Sequence, residues 1–553
     1  MCVKPKITLL ASLLAAGTAP AFAAGLACTN DSIAALESAD LSISQIETVG
    51  AGDDFAVDHC RILGAAHDRT GADGKDYQIS FELRLPNDWN QRFVHQFNGG
   101  NDGSVVPAVG ELKGGDESDT ALNRGYAVVS SDAGHAGDAN PEAGLAGGAR
   151  FGFDPEARRD YGYTAVSKLH PLATTLVETY YDNRIEYTYG VGGSNGGRHA
   201  MVAASRMPEA FDGLLVGYPG FNLPRAAVQH AWDIQAFKAI NGDVRTAFSR
   251  EQLKAVADGI AQACDSLDGL EDGYIADTDA CQTTFNIQSL QCDAAMTGHC
   301  LSKAQVAALT AIHNGPVNSQ GVPLYSDWPW DIGIGSGDWR FWKLESPIPP
   351  WNNQPLIGVM GSASLAQLFT TPPTEVAGTP QALEQYLLDF DFDSDAPKIY
   401  ATTDRYTESA MDYMTPPDSE NPTLADFNDQ GGKMLIFHGV SDPVFSVNDT
   451  TNWYQKLDAN NNYQVEAFAR YYRVPGMPHG AGGPTVDDFD FFTALVDWVE
   501  QAKAPEAVVA GVMPGNDDAM AQLGQVERKL CPYPQVARYT GGDEASADSF
   551  ACE

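Results

Sequence analysis

The chain has 553 residues, of which 43% are hydrophobic and 10% aromatic. This composition excludes a disordered chain, and the length allows several domains or one large domain with an insertion. The formal net charge is −39 at pH 7. A surface this acidic repels nucleic acid and anionic lipid, so we expect neither nucleic acid nor a membrane as a partner.

Residues 1–23 have the pattern of an export signal. Two lysines precede an apolar run that starts at Ile7, and Ala21-Phe22-Ala23 forms a small-x-small cleavage site. The run is too short to cross a membrane, and no later stretch reaches about 18 uninterrupted apolar residues. We therefore expect a secreted or periplasmic protein that begins near Ala24. A membrane-anchored protein is the alternative.

The first third of the chain alternates strand-like and helix-like segments. Strands are predicted at Arg92–Phe97, Tyr126–Ser130 and Glu186–Val191, and helical spacing runs over Tyr161–Tyr181. Such alternation predicts a mostly parallel sheet with helices on both faces.

The middle of the chain, residues 223–425, is rich in Pro, Gly, Trp and Cys. The α/β pattern then resumes with predicted strands at Lys433–His438 and Val465–Val474 and an amphipathic helix at Asp487–Gln501. We predict one α/β domain made of residues 24–222 and 426–553. Residues 223–425 are predicted to form an inserted lid domain above the carboxyl ends of the strands.

The segment Gly192-Gly193-Ser194-Asn195-Gly196 matches the G-x-S-x-G pattern of a nucleophile. It lies between a predicted strand and a helix that we expect to begin near Gly196. In an α/β-hydrolase fold this strained turn lifts the serine hydroxyl above the sheet, and small neighbours prevent clashes. An ordinary Gly/Ser turn is the alternative.

A serine nucleophile needs a base and an acid that orients it, and in the α/β-hydrolase fold the acid and then the histidine base follow the serine along the chain. Asp442 comes directly after the predicted strand Lys433–His438, and His479 follows the next strand. His479 is the only histidine after Asp442 in the sequence. We therefore predict Ser194, Asp442 and His479 as the catalytic residues, with Asp449 as the alternative acid.

An oxyanion hole needs main-chain N–H groups that point at the developing negative charge. One N–H is expected from Asn195, directly after the nucleophile. The other is expected from Gly100 or Asn101, in the glycine-rich loop 98–103 after an early strand. A plain glycine turn is the alternative for this loop.

Nine cysteines occur, one of them within the export signal. The other eight cysteines are an even number, which favours disulfides in an exported protein. Because these cysteines lie in local groups along the chain, each is expected to pair with a neighbour in the sequence. Free buried thiols are the alternative for some of them. The predicted pairs are Cys28–Cys60, Cys264–Cys281, Cys292–Cys300 and Cys531–Cys552.

An acidic, glycine-containing loop runs over residues 264–275. Its carboxylates Asp265, Asp268 and Asp272, with the carbonyls of Leu270 and Tyr274, are hard oxygen ligands that suit Ca²⁺. An acidic surface turn is the alternative, since the chain has 73 acidic residues.

Five of the nine tryptophans fall between residues 328 and 351. Such rings could form the walls of a site for a flat aromatic substrate, but we expect most of them to pack the lid. They are Trp328, Trp330, Trp339, Trp342 and Trp351.

These motifs together resemble the tannase and feruloyl esterase family. The resemblance rests on Gly192–Arg198, His438–Pro443, Pro475–His479, the loop 264–275 and the C-terminal segment Leu530–Arg538. It implies an α/β-hydrolase with a calcium-bearing lid that hydrolyses small-molecule esters, with hydroxycinnamate or gallate esters as typical substrates. The resemblance also strengthens the prediction of structural Ca²⁺.

One departure from the family concerns two glycines. Family members usually carry a disulfide between a cysteine directly before the serine and another directly after the histidine, whereas this chain has Gly193 and Gly480 there. The chain is thus predicted to be a serine carboxylic-ester hydrolase for esters of aromatic acids. The alternatives are an esterase for polyester fragments or aliphatic esters, and a catalytically inactive hydrolase-like binding protein.

Overall fold

The computed structural model describes residues 25–52, 55–292 and 300–553. The predicted export signal, residues 1–23, lies outside the described residues. No helix of the described part is long and apolar enough to cross a membrane.

A nine-stranded mixed sheet forms the centre of the protein, in the order β1-β2-β3-β5-β4-β6-β7-β8-β9. The strands from β1 to β5 in this order pair antiparallel, and those from β5 to β9 pair parallel. Two further pairs, β10 with β11 and β12 with β13, lie near the C-terminus. The strands are β1 (Leu41–Val49), β2 (His59–Thr70), β3 (Asp76–Pro86), β4 (Arg92–Phe97), β5 (Ala127–Ser131), β6 (Tyr187–Gly193), β7 (Gly213–Gly217), β8 (Lys433–Gly439), β9 (Ala469–Val474), β10 (Val508–Gly511), β11 (Glu527–Leu530), β12 (Ala537–Tyr539) and β13 (Phe550–Cys552).

Helices cover the sheet and build the segment between β7 and β8. Short 3₁₀ and π turns join several of them. The α-helices are α1 (Ile33–Leu36), α2 (Pro155–Arg159), α3 (Ala165–Tyr181), α4 (Asn195–Arg206), α5 (Leu223–Asn241), α6 (Arg250–Cys264), α7 (Thr278–Thr284), α8 (Lys303–His313), α9 (Gly337–Lys343), α10 (Ser362–Ser364), α11 (Pro380–Asp389), α12 (Ala410–Met414), α13 (Ala425–Asp429), α14 (Val447–Asn460), α15 (Phe491–Gln501) and α16 (Asp517–Gln522).

The central strands are apolar on both faces because helices cover both. Every residue of β7 is buried. Leu214 and Val216 pack into a cluster that includes residues of α4, whereas Leu215 faces the opposite cluster, which includes residues of α15. Successive side chains of a strand point to opposite faces, so one short run of Leu and Val serves both layers.

Two predicted elements near the C-terminus are shorter in the structure. The strand predicted at Val465–Val474 begins at Ala469, because Val465–Ala467 forms a 3₁₀ turn. The helix predicted from Asp487 begins at Phe491, because the Asp490 side chain caps it by accepting the N–H of Thr493. In both cases the apolar pattern continues past the boundary that local hydrogen bonding sets.

The segment between β7 and β8 packs around a hydrophobic core of its own. Most of its buried apolar side chains belong to one cluster, which also includes Phe151, Tyr161 and Phe445 from segments around the sheet. These shared aromatic residues join the inserted segment to the carboxyl edge of the sheet, where β6, β8 and β9 end.

The structure contains the four disulfides that the local grouping of cysteines predicts. Cys28–Cys60 links the N-terminal segment to β2, and Cys264–Cys281 lies within the inserted segment. The other two are Cys292–Cys300 and Cys531–Cys552. Each closes a short stretch of chain, which stabilises the fold chiefly by restricting the unfolded state.

Candidate active site

Ser194 occupies a strained turn between β6 and α4. Its backbone lies at φ 62° and ψ −126°, and its N–H donates to the carbonyl of Gly217 at 3.0 Å. A Cβ at Gly192 would lie 2.5 Å from the carbonyl carbon of Gly196, and one at Gly196 would clash with the carbonyl of Phe97. The two outer glycines of the motif are therefore needed for the close approach of strand, turn and helix.

The structure brings the three predicted catalytic residues together at the carboxyl edge of the sheet. His479, after β9, has Nε2 at 2.9 Å from the Ser194 hydroxyl and Nδ1 at 2.8 Å from a carboxylate oxygen of Asp442. The other oxygen of Asp442 accepts the N–H groups of Val444 and Phe445 at 2.7 and 3.0 Å. Both distances at His479 fit hydrogen bonds of a Ser–His–Asp relay.

The environment of Asp442 favours its charged form. Burial alone would raise the pKa of this carboxyl, but the neighbouring His479 and His438 lower the pKa below its ordinary value. His438 bonds to Thr450 and to the carbonyl of Phe445 at 3.0 and 3.1 Å. An ionised Asp442 can fix the tautomer of His479 and stabilise its positive charge.

The alternative acid, Asp449, is placed differently. Asp449 lies in the first turn of α14. Both of its carboxylate oxygens accept hydrogen bonds from the Asn222 amide at 3.1 Å. Burial raises the pKa of Asp449 to about 7. Asp449 bonds to Asn222, whereas Asp442 is the carboxylate that bonds to His479, so Asp449 does not occupy the place of the partner of His479.

Three aromatic rings surround the imidazole of His479. Tyr218 and Trp342 each place a ring centroid 4.8 Å from it, and Phe445 places one at 5.5 Å, all in edge-to-face orientation. They come from three parts of the chain: the end of β7, helix α9 and the segment after β8. Such contacts restrict the orientation of the ring.

The predicted oxyanion loop lies beside the nucleophile. A Cβ at Gly99 would lie 3.9 Å from the Cβ of Ser194. The carbonyl of Gly100 accepts the Tyr161 hydroxyl at 3.1 Å, and the side-chain oxygen of Asn101 accepts the Ser364 hydroxyl at 3.0 Å. Gly100, Asn101 and Asn195 border one cavity with Ser194. Which of their N–H groups receives an oxyanion stays a prediction.

Asp102, which the sequence did not single out, links this loop to the nucleophile helix. Its carboxyl accepts the side-chain N–H of Asn195 at 2.8 Å and lies 3.0 Å from the imidazole of His199. The Asn195 oxygen in turn accepts from Arg198 at 2.6 Å. Burial raises the pKa of Asp102 well above its ordinary value and lowers that of His199. Burial thus favours the neutral form of each group. One acidic residue in a glycine-rich loop gave no signal of this role.

Asp331 of the inserted segment connects to both catalytic loops. Its carboxylate accepts the hydroxyl of Ser441, next to Asp442, and the N–H of Gly476 at 2.9 Å. It is 3% exposed, and burial raises its pKa to about 6. A single aspartate among tryptophans carried no sequence signal, because its partners lie more than 100 positions away.

A cavity of about 390 Å³ opens at Ser194 between the sheet and the inserted segment. Its volume is in the range of small-molecule sites. Apolar side chains make up much of its wall, and Lys113 is the only Lys or Arg that lines it within the described chain. The apolar lining residues are Leu223, Ala227, Trp342, Leu356, Met360, Phe369, Val444 and Phe445.

One of the five lid tryptophans reaches this cavity. Trp342 lines it, whereas Trp328 and Trp339 are buried in the core of the inserted segment. Trp330 and Trp351 pack against that core. The expectation that most of these rings pack the lid agrees with this arrangement.

The predicted calcium loop is closed by its own carboxylates. The Asp265 carboxylate accepts the N–H of Asp272 at 3.2 Å. The Asp268 carboxylate accepts the N–H of Leu270 at 3.2 Å, and the Asp272 carboxylate accepts the N–H of Tyr274 at 2.9 Å. All five predicted ligand residues therefore belong to one hydrogen-bonded loop.

Negative charge is concentrated in this loop. Burial, and then the charges of Asp272 and Asp265, raise the pKa of Asp268 to about 6. The Arg528 guanidinium pairs with Asp272 and supplies part of the countercharge. In the described residues, no three His, Cys, Asp or Glu side chains are grouped as a metal site. A metal here would therefore depend on main-chain carbonyls as well.

The fold and the site define the class of protein. A mostly parallel sheet with serine, aspartate and histidine in this order at its carboxyl edge is an α/β-hydrolase. The chain belongs to the tannase and feruloyl esterase family, whose family profile, "Tannase and feruloyl esterase", matches residues 60–553. It is a carboxylic-ester hydrolase.

Similar proteins match most of the chain. Mono(2-hydroxyethyl) terephthalate hydrolase of Piscinibacter sakaiensis is 38% identical over 521 residues, which cover 90% of this chain and 85% of the relative. Feruloyl esterase B of Aspergillus niger is 26% identical and covers 92% and 90%. The crystal structure of feruloyl esterase B from Aspergillus oryzae has the same fold, with a TM-score of 0.73 at 22% identity, over 94% of this chain and 98% of that chain.

We predict that Asp102→Ala lowers kcat/KM for an ester by about 10- to 100-fold, because the oxyanion loop loses its bond to Asn195. Asp102→Asn is the matched control. An amide resembles the neutral carboxyl that burial favours, so this variant should lose much less activity. Steady-state kinetics, with thermal melts of both variants, checks this. Equal losses in the two variants would contradict the role given to a neutral Asp102.

Proposed function

We propose that the protein is an exported serine esterase that hydrolyses esters of aromatic acids through an acyl-enzyme. The observation that carries this proposal is the continuous hydrogen-bonded relay from Asp442 through His479 to Ser194. Ser194 and His479 line a largely apolar cavity.

In the proposed mechanism, the Ser194 oxygen attacks the ester carbonyl while His479 Nε2 takes the hydroxyl proton. Asp442 holds Nδ1 and stabilises the imidazolium. The tetrahedral oxyanion is held by the N–H of Asn195 and by that of Gly100 or Asn101. When the carbon–oxygen bond breaks, His479 returns the proton to the leaving alcohol. Water, deprotonated by His479, then attacks the acyl-enzyme, and His479 returns this proton to the Ser194 oxygen as the acid is released.

The cavity wall supports an aromatic acyl group. Trp342, Phe369 and Phe445 offer flat apolar surface beside Ser194, and planar rings gain from such contacts. The names of the relatives, a terephthalate half-ester hydrolase and feruloyl esterases, support the same class. A fragment of an aromatic polyester is the second candidate substrate, since the 38% identical relative acts on one.

We also propose that the loop 264–275 holds a structural Ca²⁺. The donor set fits, because three acidic residues and main-chain carbonyls are hard oxygen ligands in a region with excess negative charge. Asp265, Asp268 and Asp272, with the carbonyls of Leu270 and Tyr274, would hold the ion. Its contribution would be to offset their mutual repulsion and stabilise the inserted segment.

The four disulfides support the proposal that the protein is exported, because disulfides persist in oxidising compartments outside the cytoplasm.

Loss of the nucleophile is the first test. We predict that Ser194→Ala keeps the melting temperature and lowers kcat for an ester by at least about 10³-fold, because triad members act as a unit. His479→Ala should lose a similar amount, and Asp442→Asn somewhat less. A Ser194→Ala enzyme within tenfold of the unaltered protein would rule out this serine as the nucleophile.

A substrate panel tests the acyl specificity. Methyl ferulate, methyl gallate, mono(2-hydroxyethyl) terephthalate and short p-nitrophenyl alkanoates would be compared by kcat/KM. We expect the aromatic acyl esters to be preferred. Preference for the alkanoates would defeat the aromatic assignment but leave the esterase assignment intact. Turnover of none of the four, by protein that melts cooperatively, would favour a binding protein on a hydrolase scaffold.

Removal of calcium tests the loop. We predict that a strong chelator lowers the melting temperature and that added Ca²⁺ restores it, because an ion that binds only the folded state stabilises it by mass action. Asp268→Ala should melt at the chelated temperature with or without chelator. Metal analysis that finds no bound calcium in protein purified without chelator would refute the site.

A further inference from the structure

Tyr218 occupies an unusual position directly after β7. Its φ is 33°, in the region that non-glycine residues rarely adopt, and its N–H donates to the carbonyl of Phe437 at 2.6 Å. Backbone strain of this kind persists where the surroundings enforce it, and it is concentrated at functional sites. The side chain lines the cavity at Ser194. The mechanism above gives it no role.

The Tyr218 ring lies between the nucleophile turn and the histidine loop. A Cβ at Gly193 would lie 2.5 Å from its Cζ atom, and a Cβ at Gly480 would lie 2.6 Å from the same atom. Real Cβ atoms essentially never approach this closely, so a side chain at either position would require the Tyr218 ring to move from where it lies. The ring fills the space, and Gly480 lies at φ 97°.

The same ring contacts the base. Its centroid lies 4.8 Å from that of the His479 imidazole, with the planes at 71°. Trp342 and Phe445 contact the same imidazole. Burial raises the pKa of the Tyr218 hydroxyl, the charge of Lys113 lowers it, and those of Glu111 and Asp442 raise it. The atoms nearest to an added Cβ at Gly193 and at Gly480 all belong to the Tyr218 side chain, so this ring lies against the residue before Ser194 and the residue after His479.

We propose that Tyr218 is a positioning residue that keeps the His479 imidazole aligned with the Ser194 hydroxyl. The ring acts as a rigid spacer. It fixes the separation of two loops that carry opposite ends of one hydrogen bond, and its edge-to-face contact limits rotation of the imidazole. This inference rests on the proposed Ser194–His479–Asp442 mechanism. In this proposal the aromatic ring of Tyr218 positions the imidazole, and the Tyr218 hydroxyl is not required.

The test compares Tyr218→Phe, Tyr218→Leu and Tyr218→Ala with the unaltered enzyme on one ester. Phenylalanine keeps the ring, leucine keeps part of the volume, and alanine removes both. We expect Tyr218→Ala to lower kcat by about 10- to 100-fold with KM changed by less than about threefold, because misalignment at the reacting atoms affects the chemical step. The kcat of Tyr218→Leu should lie between those of the alanine and phenylalanine variants, and Tyr218→Phe should stay within about threefold of the unaltered kcat.

Thermal melts separate positioning from folding. If Tyr218→Ala melts far below the other variants, its lower kcat could reflect poor folding. The comparison of kcat between Tyr218→Leu and Tyr218→Phe then tests the proposal. A leucine variant as active as phenylalanine would overturn the proposal, since shape would not matter. A phenylalanine variant as slow as alanine would overturn it in favour of a role for the hydroxyl. Ser194→Ala, measured in parallel, shows whether the serine mechanism itself holds. Its failure to lose activity would be a failure of the proposed function and not of Tyr218.

Discussion

The structure around the site depends on one hydrogen bond, between the Ser194 hydroxyl and His479 Nε2 at 2.9 Å. Its two partners are 285 residues apart in the chain and follow different strands. Serine becomes a useful nucleophile only while this bond is in place. The turn at φ 62°, the buried Asp442 and the three rings around the imidazole all bear on its geometry. The inserted segment contributes through Trp342 and Asp331.

Parts of the fold and site with a local cause were predictable from the sequence. The G-x-S-x-G turn needs glycines for steric reasons that hold in any such fold, so Ser194 could be located from this motif together with the strand and helix predicted on either side of it. Strand β8 was visible because both of its faces are buried, which makes Met434–Phe437 a short continuous apolar run. Chain order then left His479 as the single candidate base. The disulfides followed from short separations between neighbouring cysteines.

What the sequence did not reveal depends on contacts between distant segments. Tyr218 follows an ordinary strand, and only the folded chain shows its ring between Gly193 and Gly480. Asp102 and Asp331 act through partners that no spacing rule connects. The helix start at Phe491 was missed because the apolar pattern continues across the Asp490 cap. In each case the missing information was which segments lie side by side, and periodicity within one segment does not carry it.

The most direct test of the serine mechanism is covalent labelling with an alkyl fluorophosphonate, followed by mass spectrometry of the peptides. We expect one adduct, on Ser194, because this reagent reacts with a serine that a neighbouring base activates. Labelling should disappear in Ser194→Ala and slow strongly in His479→Ala. An adduct on a different serine, or no adduct on protein that hydrolyses esters, would contradict the assignment of Ser194 and His479.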